Sequence, residues 1–355
     1  MTPEELQPQV LQGLFEKYGT LDSPLAQFFP AMPNTAPGAS IMYDVYAYNK
    51  HMARLTSRAG PAPRMDMPIR QRVNFEGITM KQSIEPDVIS LLDHTAPGSL
   101  TETGRERLVA NAVRQIRLNQ DRRLEWIRAQ WLTGGALLTS AGISPNTPAG
   151  TIYLDYGATA LASPLSVSAG FSTTHIDAAV AASWATTSTN IRADLDTARL
   201  LNLADSGVDT RLVMLNSATM EYVMLSAKAI DSELVKGQIA TGGQLKELWG
   251  YEFFVYDGQW MIDSDTMADT AAEMNYYVPT NAVIITSRDN TACGRELVEC
   301  APSDQKADPG SRGIFAWEDE SPVHPHAKEY GLEWTGCPVI KNPDSTYIYT
   351  DVTAT

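Results

Sequence analysis

Residues 103–132, Thr-Gly-Arg-Glu-Arg-Leu-Val-Ala-Asn-Ala-Val-Arg-Gln-Ile-Arg-Leu-Asn-Gln-Asp-Arg-Arg-Leu-Glu-Trp-Ile-Arg-Ala-Gln-Trp-Leu, constrain the fold more than any other stretch. Leu108, Ala112, Val113, Ile116, Leu124, Ile127 and Trp131 recur at the spacing of one helical face. Thr103 with Glu106 fits a capping box, and Gly134-Gly135 supplies a stop. The pattern predicts one spine helix over 104–133, about 45 Å long at ~1.5 Å per residue. Such a rod spans a small domain, so the rest of the chain must be arranged along it. Arg105, Arg107, Arg114, Arg117, Arg122, Arg123 and Arg128 fall on its other faces. They suit either a solvated face in a bundle or a strut whose arginines meet neighbouring subunits.

Charge is distributed unevenly around this helix. Residues 50–72 carry a balance of +5 (Lys50, Arg54, Arg58, Arg64, Arg70 and Arg72 against Asp66), and residues 104–133 carry +4. The whole chain is −15, which leaves −24 on the remaining residues. That polarity disfavours general nucleic-acid binding, which needs many cationic contacts to phosphates. It favours self-association, in which basic projections of one copy meet acidic surfaces of another.

Residues 2–18 predict a short amphipathic helix, and residues 23–38 an extended arm broken by four prolines. Ile41–Tyr48 has strand composition, with a return strand expected over Ile69–Ile84. Between them lies a basic segment holding Gly60-Pro61-Ala62-Pro63, so the pair predicts a long two-stranded projection. A two-stranded ribbon is marginal alone and must rest on something. After the spine helix, Ala136–Ser140 and Gly150–Tyr156 predict a hairpin.

Helices are expected over Ile191–Ala204 and Ser217–Leu225, and strands over Arg211–Leu215, Tyr251–Tyr256 and Asn281–Thr286. A mobile segment is expected over Ile230–Leu248. Together these form an inserted α/β unit. Short strands over Glu296–Cys300, Tyr330–Trp334 and Thr346–Asp351 are expected to return to the long helix and its hairpin, giving a discontinuous domain.

Signatures of catalysis do not emerge. There is no phosphate-binding loop, nucleotide fingerprint or nucleophile elbow. Asp263 and Asp265 faintly resemble the paired aspartates of metal-dependent phosphoryl hydrolases, but the spacing to Thr266 is wrong. With Asp269 and Glu273 they could form a calcium loop, yet the turn glycine and terminal bidentate Glu are missing. His324-Pro-His326 has metal-like spacing without an obvious third ligand. Cys293, Cys300 and Cys337 are too few for a disulfide framework and read as small buried apolar residues. The start, Met1-Thr-Pro-Glu-Glu-Leu, lacks the features of a secretory signal, and no apolar run is long enough to span a bilayer. The expectation is a protein of a reducing cytosol, with no cofactor, no metal and no membrane partner.

The order of parts resembles a known family. Leu25-Ala-Gln-Phe-Phe-Pro30 lies in the arm, and the long helix runs on to a hairpin ending at Asp155. Asn190-Ile-Arg-Ala-Asp-Leu195 precedes the strand Leu212–Leu215. Phe254-Val-Tyr-Asp-Gly-Gln-Trp260 and Tyr277–Ile285 follow. In this order they resemble the Hong Kong 97-type major capsid proteins of tailed bacteriophages, the lambda-type major head protein family in particular. The resemblance implies an α+β fold with an N-terminal arm (1–39) and an extended β-hairpin E-loop (40–84). It further implies a P-domain with the spine helix (85–188 and 291–355) and an inserted A-domain (189–290).

The function implied is self-assembly of pentamers and hexamers into an icosahedral shell around phage double-stranded DNA. The protein would be located in the virion capsid and assembled in the host cytoplasm. Lys50, Arg54, Arg58, Arg64, Arg114, Arg117, Asp263, Asp265 and Asp269 become candidate contacts between subunits. Implied partners are further copies of the chain, a portal, scaffolding and decoration or cement proteins, and packaged DNA held without sequence-specific contacts. Some relatives cross-link an E-loop lysine covalently; no acid that would promote this at Lys50 is evident, so noncovalent assembly is expected. The alternatives are an encapsulin-type compartment of the same fold and a metal-dependent hydrolase using Asp263 and Asp265.

Overall fold

The computed structural model describes residues 23–32, 40–46, 70–76, 78–84, 102–133, 175–177, 180–226, 246–261, 274–302, 313–320 and 328–353. In chain order, the strands and helices begin with β1 (Ser40–Tyr46), β2 (Arg70–Glu76), β3 (Ile78–Ile84), α1 (Glu102–Leu132) and β4 (Ile176–Asp177). They continue with α2 (Ile191–Ser206), β5 (Leu212–Leu215), α3 (Ser217–Leu225), β6 (Glu247–Leu248), β7 (Tyr251–Val255), β8 (Gln259–Met261) and β9 (Met274–Tyr276). The last are β10 (Val283–Thr286), α4 (Asn290–Cys293), β11 (Arg295–Glu299), β12 (Ile314–Glu320), β13 (Lys328–Ile340) and β14 (Tyr347–Tyr349). Chain contacts divide the protein into two compact units. The first holds Met1–Ile41, Phe75–Arg128 and Glu296–Pro338; the second holds Met42–Asn74, Ala129–Arg295 and Val339–Thr355.

In the first unit, α1 forms where the apolar spacing predicts it. It opens at Glu102, so Thr103 lies inside the first turn and is not its cap. It closes at Leu132, ahead of the two glycines. Ile116, Leu124 and Ile127 are buried, as the stripe requires. The strand β13 is the centre of a four-stranded sheet with β3, β11 and β12. It is antiparallel to β12 from Ile314↔Trp334 to Glu320↔Lys328, and to β3 from Tyr330↔Ile84 to Gly336↔Ile78. Gly331 faces Trp317 across the β12–β13 ladder, and a Cβ there would sit 2.1 Å from the indole. The bare backbone is what admits the ring.

The arm segment is settled on its own chain. Pro24–Phe28 forms a 3-10 turn that buries Leu25 and Phe28, with Phe29 buried beside it. Leu297 N–H donates to Pro30 O at 2.9 Å, and Met32 N–H donates to Leu297 O at 3.1 Å. The expected return strand over Ile69–Ile84 is two strands. β2 pairs with β1 in a separate ribbon, while β3 joins β13.

The second unit is built on a mixed six-stranded sheet in the order β4-β14-β10-β5-β7-β6. β10 is antiparallel to both β14 and β5, whereas β5 and β7 run parallel. α2 buries Ile191, Leu195 and Ala198 on one face, with Asn202 and Ser206 completing it and Leu201 only partly buried, and ends on Gly207 at φ 73°. The Asn216 side chain caps α3 by accepting from Thr219 N–H at 2.8 Å. Val213, Leu215, Val223, Phe253, Val283 and Ile285 fill the core.

One strand goes elsewhere than expected. Thr346–Asp351 was assigned to the domain of the long helix, with 291–355. β14 instead lies between β10 and β4, and Val339–Thr355 groups with the second unit. Tyr347, Ile348 and Tyr349 are all buried, so this segment suits an interior strand. β12 was not foreseen, nor was the short helix α4. The helix 2–18, the hairpin 136–156 and most of the segment 230–248 lie outside the described residues, although Glu247–Leu248 forms the edge strand β6.

Candidate functional site

The inward side of α1 is more charged than an apolar stripe would suggest. Gln120, Asp121, Glu125 and Arg128 are all buried. Their spacing explains how this is tolerated. Arg117 Nε lies 3.2 Å from Asp121 Oδ1 one turn later, and Arg128 Nη1 lies 3.4 Å from Glu125 Oε2. Each buried charge thus has a partner fixed by the helix itself. Burial pushes the Arg128 guanidinium below its ordinary value, while Glu125 beside it pulls the other way.

Glu125 also receives the Leu25 N–H at 2.8 Å, so the arm turn is hydrogen-bonded directly to this charged row. Gln120 Nε2 donates to Leu332 O at 2.9 Å and ties the helix to β13. Beside the row is a cavity of about 560 Å³, lined by Ser23 and Ala26 of the arm, Arg117 and Asp121 of α1, and Glu299 and Trp334 of the sheet.

The sequence-derived candidates divide accordingly. Arg114 is exposed. Arg117 is mostly buried and faces Asp121. Arg128, read as part of a solvated face, is buried beside Glu125. Outward on the helix, Arg123 stacks over the Trp126 ring at 4.3 Å. Lys50, Arg54, Arg58, Arg64, Asp263, Asp265, Asp269, His324 and His326 lie outside the described residues. The charged row was missed as a unit, although the spacings Arg117–Asp121 and Glu125–Arg128 were its visible signal.

In the second unit Arg295 is buried, its Nη1 donating to Thr286 Oγ1 at 3.2 Å, while the arginine–carboxylate pairs lie outward. Asp209 accepts from Arg199 and Arg211, and Arg288 Nε donates to Glu252 at 2.6 Å. The Arg199 hydrogen bond holds Asp209 below the usual carboxylate range, and Arg288 does the same to Glu252. Burial raises Asp194 although Trp184 Nε1–H donates to it at 2.8 Å. Among the described residues no group of three or more His, Cys, Asp or Glu could hold a metal ion. Cys293, Cys300 and Cys337 are buried and free of disulfides, as small apolar residues would be. No helix among the described residues is long and apolar enough to cross a membrane.

Comparison with known proteins gives these surfaces a context. The profile of the family described as "Phage major capsid protein E" matches residues 17–323. A structure described as the capsid protein of a prophage in E. coli CFT073 superposes with a TM-score of 0.58 at 12% identity. The match covers 98% of this chain and 99% of that one. A phage-related protein from Bordetella bronchiseptica RB50 gives 0.46 at 11% identity, covering 97% of each chain. An encapsulin complex from Synechococcus elongatus PCC 7942 gives 0.40 at 8%, covering 94% of this chain and 89% of that one. No curated protein sequence matches the chain. The superposition on the prophage protein establishes the fold as the α+β, Hong Kong 97-like one.

Proposed function

The chain belongs to the phage major capsid protein E family, and from that premise we propose that its copies form pentamers and hexamers that close into an icosahedral shell around double-stranded DNA. It is a major capsid protein, a structural component of the virion capsid and not an enzyme. The observation that carries the reading is the family match across residues 17–323, most of the chain.

In this reading residues 1–39 are the arm, 40–84 the E-loop, 85–188 with 291–338 the P-domain, and 189–290, with β14 added to its sheet, the A-domain. Lys50, Arg54, Arg58 and Arg64 meet an adjacent subunit, and the exposed Arg114 does so along the spine, whereas Arg117 is taken up by Asp121 within the helix. Asp263, Asp265 and Asp269 approach the capsomer axis. Assembly takes place in the host cytoplasm with a portal, a scaffold and decoration or cement proteins, and the subunits are joined noncovalently. The net charge of −15 suits containment of DNA over sequence-specific binding.

Electron microscopy of the purified protein tests the class: large closed particles or ring-shaped capsomers support it. Monomers or dimers under every assembly condition overturn it. Nucleic acid inside such particles separates a virion shell from a protein-cargo compartment. Reversing Arg54 and Arg58 to Glu is expected to abolish particles while leaving circular dichroism and solubility unchanged. A loss of secondary structure in that variant contradicts the placement of these residues between subunits.

A further inference from the structure

The cavity of the first unit joins two kinds of lining. Met80, Leu124, Leu297, Ile314 and Trp334 make apolar walls, and Gln120, Asp121 and Glu299 set acceptor oxygens among them. Gln120 is 5% exposed, and its amide is oriented by its own hydrogen bond, in which Nε2 donates to Leu332 O at 2.9 Å. The atom left over is Oε1, buried with no donor against it. A buried amide oxygen is costly to leave in that condition.

Charge points the same way. Arg117 is matched by Asp121, and Arg128 by Glu125. The Nε atoms of both arginines lack a hydrogen-bond acceptor, but the pairs bring no net charge to the cavity. Glu299, partly exposed, has no cation beside it among the described residues. Its carboxylate leans over Gly313, at φ 71°, where a Cβ would come within 2.9 Å of both oxygens. The bare backbone of that turn leaves the carboxylate its place. One donorless oxygen, one unmatched carboxylate and walls of aliphatic and aromatic carbon together suit a cation carried on an apolar stem.

We propose that this cavity binds an aliphatic organic cation, a guanidinium or primary ammonium whose N–H groups serve Gln120 Oε1 and Glu299 while its stem lies against Leu124, Ile314 and Trp334. Either head group carries several donors and no acceptor, which is what the two unserved groups require. An alkyl carboxylate is the wrong occupant, because it would meet Glu299 with like charge and leave Gln120 Oε1 bare. The same chemistry is offered by a free alkyl cation and by an arginine or lysine side chain of a second copy.

Isothermal titration of the full-length protein with n-butylguanidinium and with N-butylurea, which has the same shape without the charge, tests the site. The guanidinium is expected to saturate one site per chain and to bind about tenfold more tightly than the urea, a ratio in keeping with one charge-assisted hydrogen bond. Glu299→Gln keeps the size of a partly exposed side chain. It is expected to remove that preference while the affinity for the urea stays within about twofold. Equal affinities in the wild-type protein, tighter binding of butanoate, or no binding of either compound overturns the proposal, whether or not the variant folds. So does an unchanged preference in a folded Glu299→Gln protein. Particle assembly in saturating n-butylguanidinium then separates the two sources. A fall in yield that N-butylurea does not cause assigns the site to a side chain of a second copy, and an unchanged yield assigns it to a free cation. The titration needs no assembly, so its outcome is independent of the shell reading.

Discussion

The two longest helices handle charge in opposite ways. α2 follows the usual division: Ile191, Leu195 and Ala198 face inward, and its ion pair Arg192–Asp196 is exposed. α1 buries Asp121, Glu125 and Arg128 with Ile116 and Ile127 and settles those charges within its own turns. The difference lies in what each helix must hold. α2 covers a sheet with an apolar face, and the polar groups that continue it, Asn202 and Ser206, are uncharged. α1 must also receive the arm turn, whose Leu25 N–H needs a buried acceptor, and Glu125 supplies it. An acceptor carboxylate in that position requires Arg128 beside it. The polar row on α1 thus fixes where the arm docks at the expense of a purely apolar interface.

Substitutions can break this contrast. Ile116→Asp is expected to prevent folding, because it adds an unpaired charge to a row whose existing charges are already matched; a soluble, cooperatively melting variant would show that the buried face of α1 is misassigned. Glu125→Ala should lower stability by roughly 3–5 kcal/mol, measured by chemical denaturation, because it strands Arg128 and the Leu25 N–H together. Replacing Glu125 and Arg128 both by Leu should recover much of this, leaving about 1–3 kcal/mol for the orphaned N–H. Equal losses in the single and double variants would mean the pair does not act as a unit.

On α2, Leu195→Ala is expected to cost about 2–5 kcal/mol through the cavity it leaves. Arg192→Ala, which removes only an exposed pair, should stay within about 0.5 kcal/mol. A larger loss there would erase the contrast between the helices. The smallest effect concerns pH. Asp209 and Glu252 are held below their ordinary range by arginines, so their contribution is present above that range and fades as the pH falls through their lowered values. Because these pairs are exposed, added salt should flatten that acid limb.

How much of this was legible in the sequence differs by region. α1, α2, α3 and the strands β5, β7 and β10 follow from local spacing, since each carries a strong periodic or continuous apolar signal. The inward charges of α1 were misread because an arginine in a helical pattern looks alike whether it meets solvent or a glutamate three residues earlier. β12 was missed because its second half, Glu318-Asp319-Glu320, has the composition of a solvated loop. The destination of β14 depends on β10, more than sixty residues away, and no local pattern encodes such a pairing. The basic segment 47–69 of the projection and the acidic loop, which supply most candidate contacts, fall outside the described residues. Their role rests on charge and family resemblance.

The pairing of β3 with β13 joins residues 78–84 to residues 330–336. On a ribosome adding ~5–20 residues per second, the partner of β3 emerges about 10–50 s after β3 itself. During that interval α2, β5, α3, β7 and β10 are all synthesised, and their mutual contacts are available first. The β3–β13 pairing of the first unit can form only once residues 330–336 have been translated. A nascent chain therefore carries β3 unpaired until residues 330–336 arrive, so the closing of this sheet is a late step of its folding.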